Sequence, residues 1–185
     1  MFTTQLHTDH LILHPATLAV AQADMEDRSR FSDLLGAEVP STWPPELYDD
    51  DARRWTLRGL QNEEPGLITW YILAKREQQK SLLIGTAGFK GKPKNDIAEI
   101  GYSLVPEWQG QGLGTEAVFS LTLFAFRDLK LPIVGAHTLP ELIPSQRVLE
   151  KNGFVLRGAP SEEGAIRYEI NHDEWERVLE SQEKI

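Results

Sequence analysis

Three glycines alternate with other residues near the middle of the chain, at Gly110, Gly112 and Gly114. The preceding segment, Ile97 to Val105, is typical of a strand, and the following segment, Glu116 to Leu129, is typical of a helix. A strand, a glycine turn and a helix in succession present backbone N–H groups and a positive dipole end to an anion. Because glycine has no Cβ, a bulky phosphate can come close to the backbone there. We therefore predict that this loop binds a phosphate or a diphosphate.

Known anion-binding loops differ in the residues around their glycines. A P-loop has a lysine and then a serine or threonine directly after its last glycine, and that lysine is missing here. The dinucleotide pattern G-x-G-x-x-G/A fits Gly112, Gly114 and Ala117, but it normally follows a buried, apolar first strand early in the chain. The strand here lies mid-chain and carries Glu99 and Ser103. An NAD(P)-dependent oxidoreductase is therefore an alternative that rests on this pattern alone.

A third pattern, Gln/Arg-x-x-Gly-x-Gly/Ala, is satisfied by Gln109, Gly112 and Gly114. With Pro-Glu-Trp before it and Thr-Glu-Ala after it, the segment resembles the acyl-CoA-binding motif of the GCN5-related N-acetyltransferases (GNAT). Residues 144–154 resemble the family's second box, which contains a serine and ends in Gly-Phe. Residues 9–15 are similar to the opening strand of the branch that includes the ribosomal-protein N-terminal acetyltransferases. The resemblance thus covers most of the chain.

The resemblance implies an α+β fold with a mixed, mostly antiparallel sheet that is flanked by helices. The sheet is splayed, since its central strands part to admit the pantetheine arm of acetyl-CoA, the co-substrate. Backbone groups at the end of the strand would pair with pantetheine, the loop would hold the diphosphate, and a serine would lie near the thioester sulfur. The implied coenzyme-binding residues are Leu104, Val105, Gln109, Gly110, Gln111, Gly112, Leu113, Gly114, Thr115 and Ser145. One departure is Leu142, which stands where the family often has asparagine.

Acetyl transfer to an amine requires a neutral nitrogen that attacks the thioester carbonyl. An α-amino group titrates near ~8 and a lysine near ~10.4, so the α-amino group is the easier acceptor. Glu99 is our candidate general base, acting through a water, because strand alternation places it on the face opposite the core. The alternative for Glu99 is an ordinary solvated glutamate. We expect the backbone N–H of Val105 to stabilise the oxyanion.

Two hydroxyl groups are candidates for protonating the leaving thiolate. Ser145 is the first choice, and Tyr102, on the core face of the central strand, is the second. Ser145 also fits the N-cap of a short helix, Gln146 to Lys151, and the two roles are compatible. Because the chain has no cysteine, transfer should be direct, within a ternary complex.

The remaining elements follow from periodicity, caps and breakers. A first strand should end before Pro15, and the segment from Thr17 to Leu60 should shape the acceptor pocket. We expect Trp43 to pack in the core or at its rim; the alternative is that it forms a wall of that pocket. We expect helices over Leu18–Met25, Arg28–Leu35, Leu47–Leu60 and a segment that Asn171 caps. We expect further strands over Thr69–Ala74, Ser81–Phe89, Ile133–Leu139, Phe154–Arg157 and Ala165–Ile170, and turns over Lys90–Asp96 and Gly158–Gly164.

Length and composition favour one globular domain over residues 1–185. The net charge of −9 argues against nonspecific nucleic-acid binding. The absence of cysteine and of an HExxH pattern predicts no metal site. The N-terminus lacks the features of a signal peptide and no apolar run reaches the ~20 residues of a membrane helix, so we expect a cytoplasmic protein. The expected partner is an amine, either a small molecule or a peptide N-terminus; a homodimer and a non-catalytic acyl-CoA-binding module are both compatible with the sequence.

Overall fold

A nine-stranded mixed sheet forms the centre of the protein. The structure is a computed structural model that describes residues 4–62, 65–91, 97–157 and 163–182. Its strands are β1 (Leu6–His7), β2 (Leu11–Pro15), β3 (Ala37–Glu38), β4 (Thr69–Ala74), β5 (Ser81–Phe89), β6 (Ile97–Leu104), β7 (Ile133–Thr138), β8 (Val155–Leu156) and β9 (Ile166–Asn171). Its helices are α1 (Leu18–Glu26), α2 (Arg28–Leu35), α3 (Asp50–Leu60), α4 (Leu113–Arg127), α5 (Ile143–Lys151) and α6 (His172–Gln182). Among the described residues, no helix has both the length and the apolar character needed to cross a bilayer.

The sheet order is β1-β2-β4-β5-β6-β7-β9-β8, with β3 paired to β5. Neighbouring strands are antiparallel except for β3 with β5 and β6 with β7. The β6–β7 pairing extends only from Ile97 opposite Ile133 to Ile100 opposite Ala136. Both strands continue beyond this point, so they part from one another. The predicted α+β fold with a splayed, mostly antiparallel sheet is confirmed.

Both faces of the sheet are covered by helices. On one face, Trp70 packs with residues of α4, α5 and α6 in the larger apolar cluster. On the other face, Tyr71 packs with residues of α1, α2 and α3, including Phe31, in a second cluster. Trp43 belongs to this second cluster and is buried, as predicted. The predicted core face of β6 is confirmed, since Ala98, Ile100 and Leu104 belong to the larger cluster. The opposite face of the sheet, on which Glu99 lies, also has a core, formed with α1 to α3.

Two glycines in β5 allow strands and loops to approach closely. A Cβ on Gly85 would lie 2.3 Å from the carbonyl oxygen of Ser103, and one on Gly88 would lie 1.9 Å from that of Ile68. The β4–β5 register also shifts between Ile72 and Leu73, as in a β-bulge. Both positions therefore require glycine, because the neighbouring backbone leaves no room for a side chain.

Several element boundaries differ from the sequence prediction. β2 continues through Pro15, where an end was expected. α3 begins at Asp50 rather than Leu47, because the Asp49 side chain accepts hydrogen bonds from the first-turn N–H groups. β8 is shorter than predicted, with only Val155 and Leu156. Most of the predicted turns at 90–96 and 158–164 lie outside the described residues.

The boundary that concerns the site most is the start of α5. This helix begins at Ile143, with Pro144 in its first turn, where a missing N–H is harmless. Ser145 is therefore inside the helix, and its N–H donates to the carbonyl of Leu142 at 3.0 Å. The prediction that Ser145 is the N-cap is wrong, and its hydroxyl is used elsewhere.

Candidate active site

The glycine loop presents a set of backbone donors at the start of α4. Gly110 and Gly112 have positive φ angles of 73° and 85°, which favour glycine. The first helical hydrogen bond of α4 joins the N–H of Glu116 to the carbonyl of Gly112 at 3.1 Å. Within the part of the chain that the structure describes, the N–H groups of residues 110–115 donate to no protein acceptor. These donors and the positive helix end suit an anion.

A groove of about 490 Å³ lies against this loop. We call it the glycine-loop groove; it is bounded by the end of β6, the loop, α4 and α5. Seven of the residues predicted to bind coenzyme line it, namely Leu104, Gln109, Gly110, Gly112, Gly114, Thr115 and Ser145. Val105, Gln111 and Leu113 do not line it. The Gln111 side chain instead donates to the carbonyl of Glu107 at 2.9 Å.

Two cations in the groove were not predicted. Arg147 and Lys151 both line it, one helical turn apart on α5. Their spacing of four residues places them on one face of a helix, and this spacing could have identified the pair from the sequence. The Asn152 side chain donates to the carbonyl of Thr115 at 3.2 Å and so ties α5 to the start of α4.

The free edge of β6 faces the gap that the parting strands leave. The carbonyl of Glu99 accepts from the N–H of Lys90, directly after β5, and the N–H of Val105 donates to the carbonyl of Ile84 in β5, so both groups point toward the β5 side. Since backbone groups alternate along a strand, those of Tyr102 and Leu104 point to the opposite edge, toward β7. The Leu104 carbonyl there accepts a bond from the Gln109 side chain at 2.8 Å.

The backbone groups of Val105 already have partners within the protein. Its N–H donates to Ile84 at 2.9 Å, and its carbonyl accepts from Trp108 at 3.0 Å. These bonds arise because β6 pairs with β5 up to its last residue, which only the register reveals. The pairing of Val105 with pantetheine and its use as an oxyanion donor stay predictions, and either would have to compete with these bonds.

Tyr102 and Ser145 meet at the point where the strands part. The Tyr102 hydroxyl lies 2.9 Å from Ser145 Oγ and 3.1 Å from the Ser145 carbonyl oxygen. Burial raises the pKa of Tyr102 to about 12, and the bond to Ser145 opposes this shift only in part. Tyr102 therefore keeps its proton throughout the neutral range. The two hydroxyls that the sequence proposed separately lie in contact.

Glu99 is paired with two basic side chains that the sequence analysis missed. Its Oε1 lies 2.6 Å from Lys90 Nζ and 3.0 Å from His137 Nδ1. Burial acts to raise the pKa of Glu99, but Lys90 and His137 outweigh it, so the pKa is lower than usual. Glu99 is consequently ionised at neutral pH and only a quarter exposed, at 26%. The alternative of a freely solvated glutamate does not describe it.

A second opening, the central cavity, lies on the Glu99 face and has a volume of about 370 Å³. Its walls come from α3 and the loop before it, from β4 and β5, and from β6. Lys90 and His137 line it, whereas Glu99 does not. The central cavity and the glycine-loop groove share four lining residues, which are Leu47, Tyr102, Ser103 and Ser145. The two openings thus meet beside the paired hydroxyls.

Comparison with known protein families identifies the family of this chain. The model described as "Acetyltransferase (GNAT) domain" matches residues 11–155. The chain belongs to the GNAT family. It is accordingly an N-acetyltransferase, and acyl-CoA is the co-substrate that GNAT enzymes use. The sheet is mostly antiparallel, which also argues against the oxidoreductase alternative.

Individual GNAT relatives agree with this affiliation. The uncharacterized N-acetyltransferase YoaA of Bacillus subtilis is 31% identical over 158 residues, covering 83% of this chain and 84% of that protein. The ribosomal-protein-serine acetyltransferase of Escherichia coli is 28% identical over 118 residues, covering 63% and 64%. The structure of Mycobacterium smegmatis RimJ in complex with CoA-disulfide shares the fold, with a TM-score of 0.58, 17% identity and coverage of 93% and 89%. Structural neighbours thus include ribosomal-protein acetyltransferases.

Proposed function

We propose that this protein transfers the acetyl group of acetyl-CoA to a primary amine by direct attack in a ternary complex. The observation that carries the proposal is the meeting of the two openings at Tyr102, Ser103 and Ser145. A coenzyme in one opening and an amine in the other would bring their reacting atoms together there. The lack of cysteine removes the common covalent thiol intermediate. The acceptor is a small-molecule amine or a peptide N-terminus; a protein acceptor finds support in the name of the ribosomal-protein-serine acetyltransferase of E. coli.

The glycine-loop groove supplies a different type of contact for each part of acetyl-CoA. The free N–H groups of residues 110–115 suit the diphosphate, and Arg147 and Lys151 suit further phosphate charge. The open backbone edge at Tyr102 and Leu104 suits the amides of pantetheine, which would add to the sheet edge as a strand does. Residues Gln111 and Leu113 would contribute only through the backbone of the loop.

Proton removal from the amine is assigned to Glu99 together with His137. His137 lines the central cavity, and its Nδ1 lies 3.0 Å from the Glu99 carboxylate, which is not among the lining residues. A carboxylate in this position fixes the orientation of the imidazole ring. The lowered pKa of Glu99 makes it a weak base by itself, so a water or the imidazole must carry the proton from the amine.

Departure of the coenzyme thiolate is assisted by Tyr102 and Ser145. A thiol titrates near ~8.5, so the thiolate is stabilised by a hydroxyl that remains protonated at neutral pH. Tyr102, with a pKa of about 12, remains protonated, and Ser145 Oγ lies 2.9 Å away. The tyrosine would donate a hydrogen bond to the sulfur as the C–S bond breaks, and solvent would then deliver the proton.

Coenzyme binding and thiol release test the proposal. We expect acetyl-CoA at 100 times its Kd to stabilise the protein by about 2.7 kcal/mol in thermal unfolding, whereas NADH should not. We also expect free thiol to appear when acetyl-CoA is mixed with a panel of small amines and peptides with free N-termini. Stabilisation by NADH alone would contradict the proposal. Tight coenzyme binding without turnover of any acceptor would favour the non-catalytic acyl-CoA-binding module.

A further inference from the structure

An apolar wall runs along one side of the central cavity. It is formed by α3 and the loop before it, through Leu47, Ala52 and Trp55. Ala52 and Trp55 are three residues apart in the helix, so their side chains are neighbours on one face. Leu47 also lines the glycine-loop groove, so the wall begins where the two openings meet. An acceptor whose amine lies at this junction would therefore meet the wall with the rest of its structure.

The accessible surface on this side of the cavity is mainly apolar. Leu47 and Trp55 are 67% and 40% exposed, although both are large apolar side chains. Tyr48, Thr56 and Thr69 also line the cavity, but all three are buried. Their hydroxyls contact one another, since those of Thr56 and Thr69 are 2.8 Å apart and that of Tyr48 donates to Thr56 at 3.5 Å. A ligand would thus contact mainly carbon atoms on this side.

The ring of Trp55 is available to a ligand in a way that the core tryptophans are not. Trp43 and Trp70 donate their indole N–H groups to protein oxygens, and Trp175 packs against two aromatic rings. Within the described parts of the chain, Trp55 makes neither a hydrogen bond nor a ring contact. Ligand cavities are typically lined by such apolar and aromatic side chains, with few polar groups among them.

The charged groups around the cavity argue against a second cation on the acceptor. None of the described residues that line either opening is acidic, although the chain contains 28 aspartates and glutamates. The basic side chains in the cavity lining are Lys90 and His137, and both contact the Glu99 carboxylate. A second ammonium group would find no counter-ion in the lining, and burying an unpaired charge is costly. The cavity therefore favours an apolar substituent over a charged one.

We propose that the acceptor is a primary amine that carries an apolar group, foremost an aromatic ring, and that Trp55 is the specificity-determining residue that packs against this group. The inference rests on the proposed function, since it names the acceptor class of the same reaction. With the amine beside Tyr102 and Ser145, the apolar group would lie along Leu47 and Trp55. Removing apolar surface from water favours binding, and contact between two aromatic rings adds to this effect.

Matched amines test this acceptor class. Thiol release from acetyl-CoA would be followed with 2-phenylethylamine and with ethanolamine, in which a hydroxyl replaces the ring. The tripeptides Phe-Ala-Ala and Ser-Ala-Ala repeat this difference at a peptide N-terminus, so the faster pair shows whether the source is a small molecule or a peptide. In that pair we expect kcat/KM to be about tenfold higher for the phenyl compound. Equal rates within both pairs would overturn this inference and leave the proposed function standing. Failure to acetylate any amine would instead overturn the proposed function, and this inference with it.

Two variants of Trp55 and one control complete the test. Trp55→Ala should bring the phenyl-to-hydroxyl ratio of kcat/KM toward one, mainly through a higher KM for the phenyl compound. Trp55→Phe keeps an aromatic ring and should retain most of the ratio. Leu34→Ala is the matched control, because Leu34 is also 40% exposed and lies in neither opening; its ratio should equal that of the wild type. A general loss of stability lowers both rates and leaves the ratio intact. A wild-type ratio in Trp55→Ala would overturn the role of Trp55.

Discussion

At Glu99, three strands bring one carboxylate and two basic side chains to the same point. The carboxylate is on β6, Lys90 follows β5 and His137 is on β7. Partial burial acts to raise the pKa of Glu99, but hydrogen bonds from Lys90 and His137 and the nearby charge of Lys90 hold it below its usual range. A carboxylate of this kind holds and polarises its partners more effectively than it removes protons from solvent or substrate. Its expected contribution is therefore to the orientation of His137.

Glu99→Gln tests this contribution, because the amide keeps the shape and removes the charge. We expect kcat/KM for the amine to fall by about a hundredfold at neutral pH, with little change in acetyl-CoA affinity. Glu174→Gln is the control, since Glu174 also has a lowered pKa and an ion pair, with Arg157, and lies in neither opening. Its rate should match that of the wild type. A pH–rate profile of Glu99→Gln that overlays the wild-type profile would remove Glu99 from the mechanism.

The sequence could identify Glu99 but not its partners. Alternation along a strand is a local property, and it placed Glu99 on the face with Gly101 and Ser103. Lys90 and His137 reach that face through the pairing of β6 with two other strands, and strand register is not encoded in residue spacing. The same limit explains Val105, whose N–H proved to be bonded to β5.

At the scale of single elements, strong local signals predicted most starts and ends. The Thr17 side chain accepts from the N–H of Val20, and Asn171 and Glu174 accept from each other's N–H groups in a capping box. The start of α5 was predicted incorrectly because serine is a good N-cap, yet Pro144 lets the helix begin earlier. Because the helix begins one turn earlier, the Ser145 hydroxyl does not cap it and can contact Tyr102. The incorrect helix start therefore hid the Tyr102–Ser145 contact from the sequence analysis.

The αL glycine at the start of α4 provides a test at this scale. A Cβ on Gly112 would meet no atom within 4 Å, so Gly112→Ala should cost only backbone strain, about 1 kcal/mol of unfolding free energy. Gly36→Ala is closely matched, with φ of 64° against 85° and equally open space, but it lies at the end of α2. Urea unfolding should show similar losses for both. Only Gly112→Ala should also lose affinity for coenzyme A, because the donors of the loop would be displaced. Equal coenzyme affinity in the two variants would contradict the role of the loop.

At the scale of the whole molecule, the site exists because the sheet parts while helices cover both of its faces. The glycine-loop groove is completed by α4 and α5, and the central cavity by α3 and the loop before it. The meeting of the two openings depends on contacts between segments as distant as Leu47 and Ser145. No local pattern predicts such contacts, and only the family resemblance implied the splayed sheet. The loop, in contrast, is formed by consecutive residues and could be recognised directly.

Charge over the whole molecule opposes the binding of an anionic coenzyme, since the protein carries −9. Arg147 and Lys151 place positive charge in the wall of the glycine-loop groove. At about 0.15 M salt the screening length is about 8 Å, so these nearby charges affect a bound anion more than distant acidic residues do. We therefore expect Lys151→Gln to weaken coenzyme A binding by several-fold at low salt, and by less as salt increases. Lys80→Gln makes the same change in net charge at an exposed turn outside both openings, so it isolates the effect of position. Titration calorimetry at two salt concentrations would measure both variants. An equal loss of affinity in Lys80→Gln would mean that net charge, rather than the local pair on α5, governs binding.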